Sequence, residues 1–140
     1  MFKDITLDLS KLRALAAEDD MGGGAMISMI LRRLGIQTYI DRTGSQIVDM
    51  AREMDQPPDI IFLDLHLPEK SGFEIIQEIR ADARLKSVLV IAVSAMDANI
   101  AIPKCRQFGF NGFIAKPLST GRFIQQVHDL LSGKPVWEPG

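Results

Sequence analysis

Residues 60–68 have the sequence IIFLDLHLP, the clearest structural pattern in the chain. The four apolar residues at 60–63 stand in a row and end at Asp64. A short uninterrupted apolar run of this kind predicts a strand buried on both faces, as the strands of parallel sheets are. The proline that closes the stretch predicts a loop, and Ser71 and Gly72 are suited to begin the next helix. We therefore expect an acidic residue at the carboxyl end of a central buried strand.

The same alternation of patterns extends in both directions from this stretch. Further strand patterns lie at 12–17, 36–40, 88–93 and 110–115. Helical patterns of apolar residues lie at 25–34, 47–54, 72–79, 97–108 and 123–131. Strands that alternate with helices predict an α/β fold with a parallel sheet. Right-handed crossovers then place five helices on the two faces of an open, doubly wound, five-stranded sheet.

Two local features modify the helix predictions. Gly22 to Gly24 predict a flexible loop before the first helix, because glycine is a poor helix former. They also lack the lysine and the spacing of a nucleotide-binding P-loop. Pro103 is tolerated in the first turn of a helix but not in its middle, so we expect a short or late fourth helix.

Length and composition exclude several classes of protein. The 140 residues are 46% hydrophobic and 24% charged with a net charge of -2, which is typical of one folded domain. No apolar run approaches the length of a membrane span, and the acidic balance disfavours nucleic-acid binding by bulk charge. The single cysteine, Cys105, excludes an internal disulfide framework. We expect a cytoplasmic protein with an N-terminal extension (1–11), one domain (12–132) and a C-terminal tail (133–140).

Polar residues follow the predicted strands where each strand ends. They are Glu18, Asp19 and Asp20 after the first strand, Asp64 after the third, Ser94 after the fourth and Lys116 after the fifth. Ligands of open parallel sheets bind outside the carboxyl ends of the strands, so these groups are expected to converge. Carboxylates this close repel one another, and a hard cation such as Mg²⁺ removes the repulsion. A lysine and a hydroxyl beside the cation suit a phosphoryl group, for which Asp64 is the best nucleophile.

Taken together, these segments resemble the receiver domain of response regulators in two-component signalling. The resemblance covers about Leu12 to Leu131. Its four segments, in chain order, are EDD at 18–20, DLHLP at 64–68 with Gly72, VSA at 93–95 and FIAKP at 113–117. It implies a flavodoxin-like sheet with the strand order 2-1-3-4-5. It also implies a cis peptide bond between Lys116 and Pro117, a rare enough feature to be a sharp test.

The resemblance implies a role for each acidic residue of the site. Asp64 would accept a phosphoryl group from a histidine kinase or from a histidine phosphotransfer protein. Mg²⁺ would be bound by Asp19, by Asp64 and by the backbone carbonyl of His66. Glu18 would act mainly through metal-bound water.

Three further residues are implied to respond to the phosphoryl group. Lys116 would pair with it, and the Ser94 hydroxyl would move to bond it. Phe113 would follow Ser94 inward as an aromatic switch. The resemblance thus implies a change at the face formed by the fourth helix, the fifth strand and the fifth helix, which a downstream protein reads and through which a homodimer can form.

The expected output is a surface, with no direct nucleic-acid or membrane partner. If the chain is complete, its ends are too short for a DNA-binding or catalytic domain, so a relay is favoured over a transcription factor. Apart from self-catalysed phosphoryl acceptance and slow autodephosphorylation, we expect no enzyme activity.

Three alternatives stay open at this point. A Mg²⁺-dependent phosphatase with an aspartyl nucleophile uses similar residues, but usually carries a second acid two residues later, where this chain has His66. A flavodoxin-like flavin carrier is disfavoured because three acids follow the first strand. A receiver-like scaffold that is never phosphorylated is disfavoured by the full set of site residues, although Gly22 to Gly24 depart from the usual family pattern.

Overall fold

The structure, a computed structural model, describes residues 8–138 as alternating strands and helices. After a short 3-10 turn at Leu9–Lys11, the elements in chain order are β1 (Arg13–Ala17), α1 (Met21–Arg33), β2 (Gln37–Asp41), α2 (Ile47–Glu53), β3 (Ile60–Leu63), α3 (Gly72–Ala81), β4 (Leu89–Ser94), α4 (Ala98–Phe108), β5 (Gly112–Ala115), α5 (Thr120–Leu131) and β6 (Val136–Glu138). The predicted alternation is confirmed. No helix within these described residues is long and apolar enough to cross a membrane.

The strands form one parallel sheet in the order β2-β1-β3-β4-β5-β6. The predicted fold class and the order of the first five strands are confirmed, but the predicted count of five strands is wrong by one. The additional strand, β6, pairs in parallel with β5 and sets Gly112 opposite Val136. No strand was predicted in this segment, because three residues between two prolines are too few to show an alternating pattern.

Apolar side chains form a core on each face of the sheet. Leu15, Ile61 and Val90 belong to the core that also contains residues of α2, α3 and α4. The other core lies under α1 and α5, where the rings of Phe62 and Phe123 pack with centroids 5.5 Å apart. Strand β3 is buried along its whole length, as its apolar run predicted. Its central position brings the residue that follows it to the middle of the carboxyl edge.

Helix α1 begins earlier than the sequence predicted, and Gly22 to Gly24 form its first turn. The prediction of a flexible loop is wrong because Asp20 caps the helix: its carboxylate accepts a hydrogen bond from the Gly23 amide at 2.8 Å. A Cβ atom on Gly23 would lie 3.1 Å from Asp20 Oδ2 and 3.3 Å from Glu18 Oε1. The missing side chain therefore lets the helix start directly beside the acidic residues.

Helix α4 extends through Pro103, its sixth residue, so the prediction of a short or late helix is also wrong. The helix is defined at both ends, since Asp97 caps its start and Gly109, with a φ of 94°, ends it in the left-handed conformation. Ala101 and Cys105 lie on the face of the helix that packs against the core, and both are fully buried. Tertiary packing of this face outweighs the local cost of the proline.

Candidate functional site

Asp64 lies directly after β3 at the carboxyl edge of the sheet and is almost fully buried. Its amide donates a hydrogen bond to the carbonyl of Ala17 at 2.9 Å, which continues the β1–β3 pairing. Its Oδ1 atom accepts a hydrogen bond from the His66 amide at 3.0 Å. Its Oδ2 atom accepts one from Lys116 Nζ at 2.9 Å. The carboxylate is thus held in one orientation at the centre of the edge.

Lys116 reaches this position because β5 ends beside β4. Its amide donates to the carbonyl of Ser94 at 2.9 Å, and the Lys116–Pro117 peptide bond is cis, as predicted. The ammonium group lies 2.7 Å from Glu18 Oε1 as well as 2.9 Å from Asp64 Oδ2. Burial by itself would lower the pKa of Lys116, but the bonds to Glu18 and Asp64 outweigh that effect and raise it.

Glu18 is the most buried acid of the site, with 1% of its surface exposed. Its Oε2 atom accepts a hydrogen bond from the Asp20 amide at 3.0 Å. Its Oε1 atom is paired with the Lys116 ammonium at 2.7 Å, and the residues at 8–138 offer it no second donor. Burial raises the pKa of Glu18, and the contacts with Lys116 and with the Asp20 amide lower it only part of the way back. This oxygen is therefore a buried acceptor with a free lone pair.

Glu18, Asp19 and Asp64 together form a set of oxygen ligands. One carboxylate oxygen of each lies within 4.8 Å of the others, and Asp19 is exposed while the other two are buried. Three carboxylates beside a single ammonium carry an excess negative charge, and Glu18 Oε1 has an acceptor position to spare. A hard divalent cation that favours oxygen ligands, above all Mg²⁺, fits this donor set.

The remaining predicted site residues lie around this cluster. Ser94 is fully buried at the end of β4, and its Oγ atom accepts a hydrogen bond from the Met96 amide at 3.0 Å. Phe113 is fully buried in β5 and belongs to the core that includes residues of α2, α3 and α4. The His66 side chain is exposed.

Asp41 supports the site and was missed by the sequence reasoning. It is 3% exposed at the end of β2, and its carboxylate accepts hydrogen bonds from both the amide and the hydroxyl of Thr43 and from the Gln46 amide. Its backbone carbonyl accepts a hydrogen bond from the Glu18 amide at 3.0 Å. Burial would raise the pKa of Asp41, but these hydrogen bonds outweigh it and lower the pKa. The sequence signal that could have identified Asp41 is its position directly after the second predicted strand, at 36–40.

A mostly apolar cavity of about 520 Å³ opens beside Lys116. Its walls include Gly22, Gly23, Met26 and Ala95. The absence of side chains at the two glycines widens this side of the site. Lys116 is therefore reachable by a reacting group from outside the protein.

Doubly wound sheets with a lysine-bound aspartate and an acidic cation site at the carboxyl edge define a class of phosphoryl-accepting domains. The model of one family, the response regulator receiver domain, matches residues 14–128 of this chain. The chain belongs to this family, as its resemblance predicted.

Curated relatives and solved structures agree with this assignment. The polar-differentiation response regulator DivK of Brucella ovis is 32% identical over 117 residues, which cover 84% of this chain and 94% of that protein. The chemotaxis response regulator CheY4 of Vibrio cholerae superposes with a TM-score of 0.78 at 18% identity, covering 85% of this chain and 98% of that one. The HemR receiver domain of Leptospira biflexa gives 0.77 at 24% identity, with 87% and 95% covered. At these identities the two structures support the fold alone.

Proposed function

We propose that Asp64 accepts a phosphoryl group from a phosphohistidine of a histidine kinase or a histidine phosphotransfer protein. The observation that carries the proposal is the pairing of a buried aspartate with Lys116 at 2.9 Å, beside two further acids and an open cavity. A partly buried lysine aimed at a carboxylate can bind the phosphoryl oxygens once that carboxylate has reacted.

The reaction forms one bond and breaks another at phosphorus. A carboxylate oxygen of Asp64 attacks, the phosphorus–nitrogen bond of the donor breaks, and the imidazole leaves with the bonding electrons and takes a proton from solvent. Lys116 then binds the phosphoryl oxygens, and the hydroxyl of Ser94 donates a hydrogen bond to one of them. The ion pair between Lys116 and Asp64 is exchanged for one between Lys116 and the phosphoryl group.

Mg²⁺ is the proposed cofactor, held by Asp19, Asp64 and the backbone carbonyl of His66, with Glu18 contributing through water. When bound, it supplies positive charge that neutralises the phosphoryl oxygens. Glu18 positions Lys116 through the ion pair at 2.7 Å.

The consequence of phosphorylation is a change in a surface. Removing Lys116 from its pair with Asp64 alters the end of β5, and Phe113 transmits the change within the same strand. We propose that a downstream protein reads the face formed by α4, β5 and α5, and that the protein works in the cytoplasm with these partners. Membership of the receiver family supports both statements.

The domain acts in this proposal as a signalling switch, with self-catalysed phosphorylation and slow autodephosphorylation as its only chemistry. A phosphatase with an aspartyl nucleophile usually carries a second acidic residue two positions after it to protonate the leaving group, and here that position is His66, whose side chain is exposed. No observation favours a second function.

Phosphorylation can be measured directly by intact-mass spectrometry after incubation with acetyl phosphate and Mg²⁺. We expect one phosphoryl group on the native chain, none without Mg²⁺ and none on Asp64→Asn. The matched control is Asp49→Asn, an exposed aspartate in α2 whose replacement should leave the reaction unchanged. Equal phosphorylation of Asp64→Asn and the native chain would show that Asp64 is not the acceptor.

A further inference from the structure

The sheet ends in a strand that the phosphoryl site does not use. Strand β6 consists of three residues and is connected to α5 by residues 132–135. It pairs in parallel with β5, so that Phe113 lies opposite Trp137 and Ile114 opposite Glu138. The strand therefore occupies the edge of β5, in the middle of the face that a downstream protein is proposed to read.

The side chains of β6 alternate between the two faces of the sheet, as in any strand. Val136 is buried in the core under α1 and α5. Glu138 lies on the same side, where its Oε1 atom accepts hydrogen bonds from Arg122 at 2.8 Å and from Gln126 at 2.6 Å. Trp137 lies on the opposite side beneath Arg106 of α4, whose guanidinium carbon is 4.1 Å from the ring centroid. The strand thus contacts α4 on one face of the sheet and α5 on the other.

The edge of β5 has the properties of a groove for an extended peptide. Gly112 has no side chain, and a Cβ atom there would lie 2.6 Å from the carbonyl oxygen of Val136. Main-chain pairing along the edge supplies affinity, while positions for alternate side chains supply specificity. Arg106 and Arg122 stand on either side of the groove and favour an aromatic and an acidic residue. A ligand of this groove is therefore expected to carry an apolar, an aromatic and an acidic residue in consecutive positions.

The occupant of this groove is a short strand of three residues at the edge of the described sheet. Trp137 and Glu138 are each partly exposed, and the strand pairs on one side only within the described sheet. The connection to α5 contains Gly133, with a φ of 89°, followed by Lys134 and Pro135. Its attachment to the domain gives the strand a high effective concentration at the groove, so three paired residues are enough to keep it in place.

We propose that β6 is a tethered occupant of a strand-binding groove, and that the groove's other ligand is an extended segment of a partner protein. That segment pairs in parallel with β5 and presents an apolar, an aromatic and an acidic residue, as Val136, Trp137 and Glu138 do. Identifying it with the downstream partner rests on the function proposed above. Occupation of the groove itself does not require the phosphoryl group.

The proposal is tested by NMR with isotope-labelled protein and an unlabelled peptide that reproduces residues 132–140 (SGKPVWEPG). The native chain is compared with the full-length variant Trp137→Ala/Glu138→Ala, which keeps the tail but weakens its hold. The apparent affinity of a groove falls in proportion to the fraction of molecules in which it is empty. We expect the peptide to shift the amide signals of Gly112, Phe113 and Ile114 and to bind the variant at least about tenfold more tightly than the native chain.

Three controls separate the groove from other effects. The variant Tyr39→Ala/Glu53→Ala changes an exposed aromatic and an exposed acidic residue elsewhere, and it should bind the peptide as the native chain does. A peptide in which alanine replaces the tryptophan and the glutamate should shift no signal. Adding Arg122→Ala to the weakened-tail variant should reduce peptide binding.

Several outcomes would overturn the proposal. Equal peptide affinity of the native chain and the weakened-tail variant, with both folded by circular dichroism, would show that β6 does not compete for the groove. The absence of any shift at Gly112 to Ile114 in the variant would do the same. A dimer of the native chain that exchanges its tails, detected by light scattering, would identify a second copy as the ligand.

Peptide binding retained in Asp64→Asn would separate this proposal from that of the phosphoryl site.

Discussion

Replacing Lys116 by methionine tests the electrostatic balance of the site. The ammonium lies 2.7 Å from Glu18 Oε1 and 2.9 Å from Asp64 Oδ2, and both acids are nearly buried. Methionine keeps much of the apolar volume of the side chain but removes the charge. Two buried carboxylates would then face each other within 4.8 Å.

The cost of this change is large enough to measure. At an effective dielectric constant of about 20, two unit charges about 4.8 Å apart repel by about 3.5 kcal/mol. Breaking a buried ion pair by removing one partner costs about 3–5 kcal/mol. Without Mg²⁺ near neutral pH, we expect the variant to lose about 3 kcal/mol of unfolding free energy.

The loss should shrink as the pH falls. The pKa of Glu18 is already raised by burial, and removing the ammonium group of Lys116 should raise this pKa further. An acid whose pKa is higher in the folded state stabilises the fold when protonated, so stability increases as the pH falls through its folded pKa. We therefore expect a smaller difference from the native chain in mildly acidic solution. Saturating Mg²⁺ should reduce the difference as well, because it replaces the missing positive charge.

Urea unfolding followed by circular dichroism measures the free energy directly. The control is Lys86→Met, a lysine on the exposed surface whose replacement should stay within about 0.5 kcal/mol of the native chain. The double variant Glu18→Gln/Lys116→Met should regain much of the loss, since it leaves one buried charge in place of two. If Lys116→Met is as stable as the control without Mg²⁺, Lys116 does not compensate the buried acids.

Three further predictions concern the metal, the loop after β2 and the β5 edge. Mg²⁺ should raise the melting temperature of the native chain, and this rise should be reduced in Asp19→Asn but not in Asp49→Asn, as differential scanning fluorimetry can check. Asp41→Asn should cost about 1 kcal/mol by urea unfolding, because three partly buried donors lose a charged acceptor. This contribution is present above the usual aspartate pKa of 3.8 and is lost as the pH falls through the lowered folded value, so equal stability of variant and native chain near neutral pH would contradict it. Gly112→Ala should displace β6 from the edge of β5, because the new Cβ atom would lie 2.6 Å from the carbonyl oxygen of Val136. The fluorescence of Trp137, the chain's single tryptophan, should then shift to longer wavelength, and an unchanged spectrum would show that the strand tolerates the side chain.

Much of the site could be predicted because its residues follow short apolar strands. The run at 60–63 placed Asp64 at a strand end, and the run at 88–93 did the same for Ser94. Lys116 was placed by a lysine–proline pair after the fifth strand, and the cis peptide bond there is confirmed. Parallel strands bring their carboxyl ends to one edge, so strand ends alone were enough to bring these groups together.

The two incorrect helix predictions share a physical cause, since each treated the helix propensity of single residues as decisive. Gly22 to Gly24 are poor helix formers, yet the carboxylate of Asp20 accepts a hydrogen bond from the Gly23 amide and caps the start of α1. Pro103 disfavours a helix interior, yet the buried face of α4 holds the helix on the core. In both places a contact from outside the segment supplied the missing stability.

By itself, the sequence determined the fold class, the strand order through its family resemblance, and the acids, hydroxyl and lysine of the site. The fold class and the site residues follow from the period of apolar residues and from the polar residue at each strand end, both of which are local in the chain. Only the tertiary structure decided that Lys116 bridges Glu18 and Asp64 and that Asp41 supports the neighbouring loop. It alone showed that β6 covers the edge of β5. The contacts of Lys116 and of β6 join elements that are separate in the chain, and their distances depend on how the helices pack against the sheet.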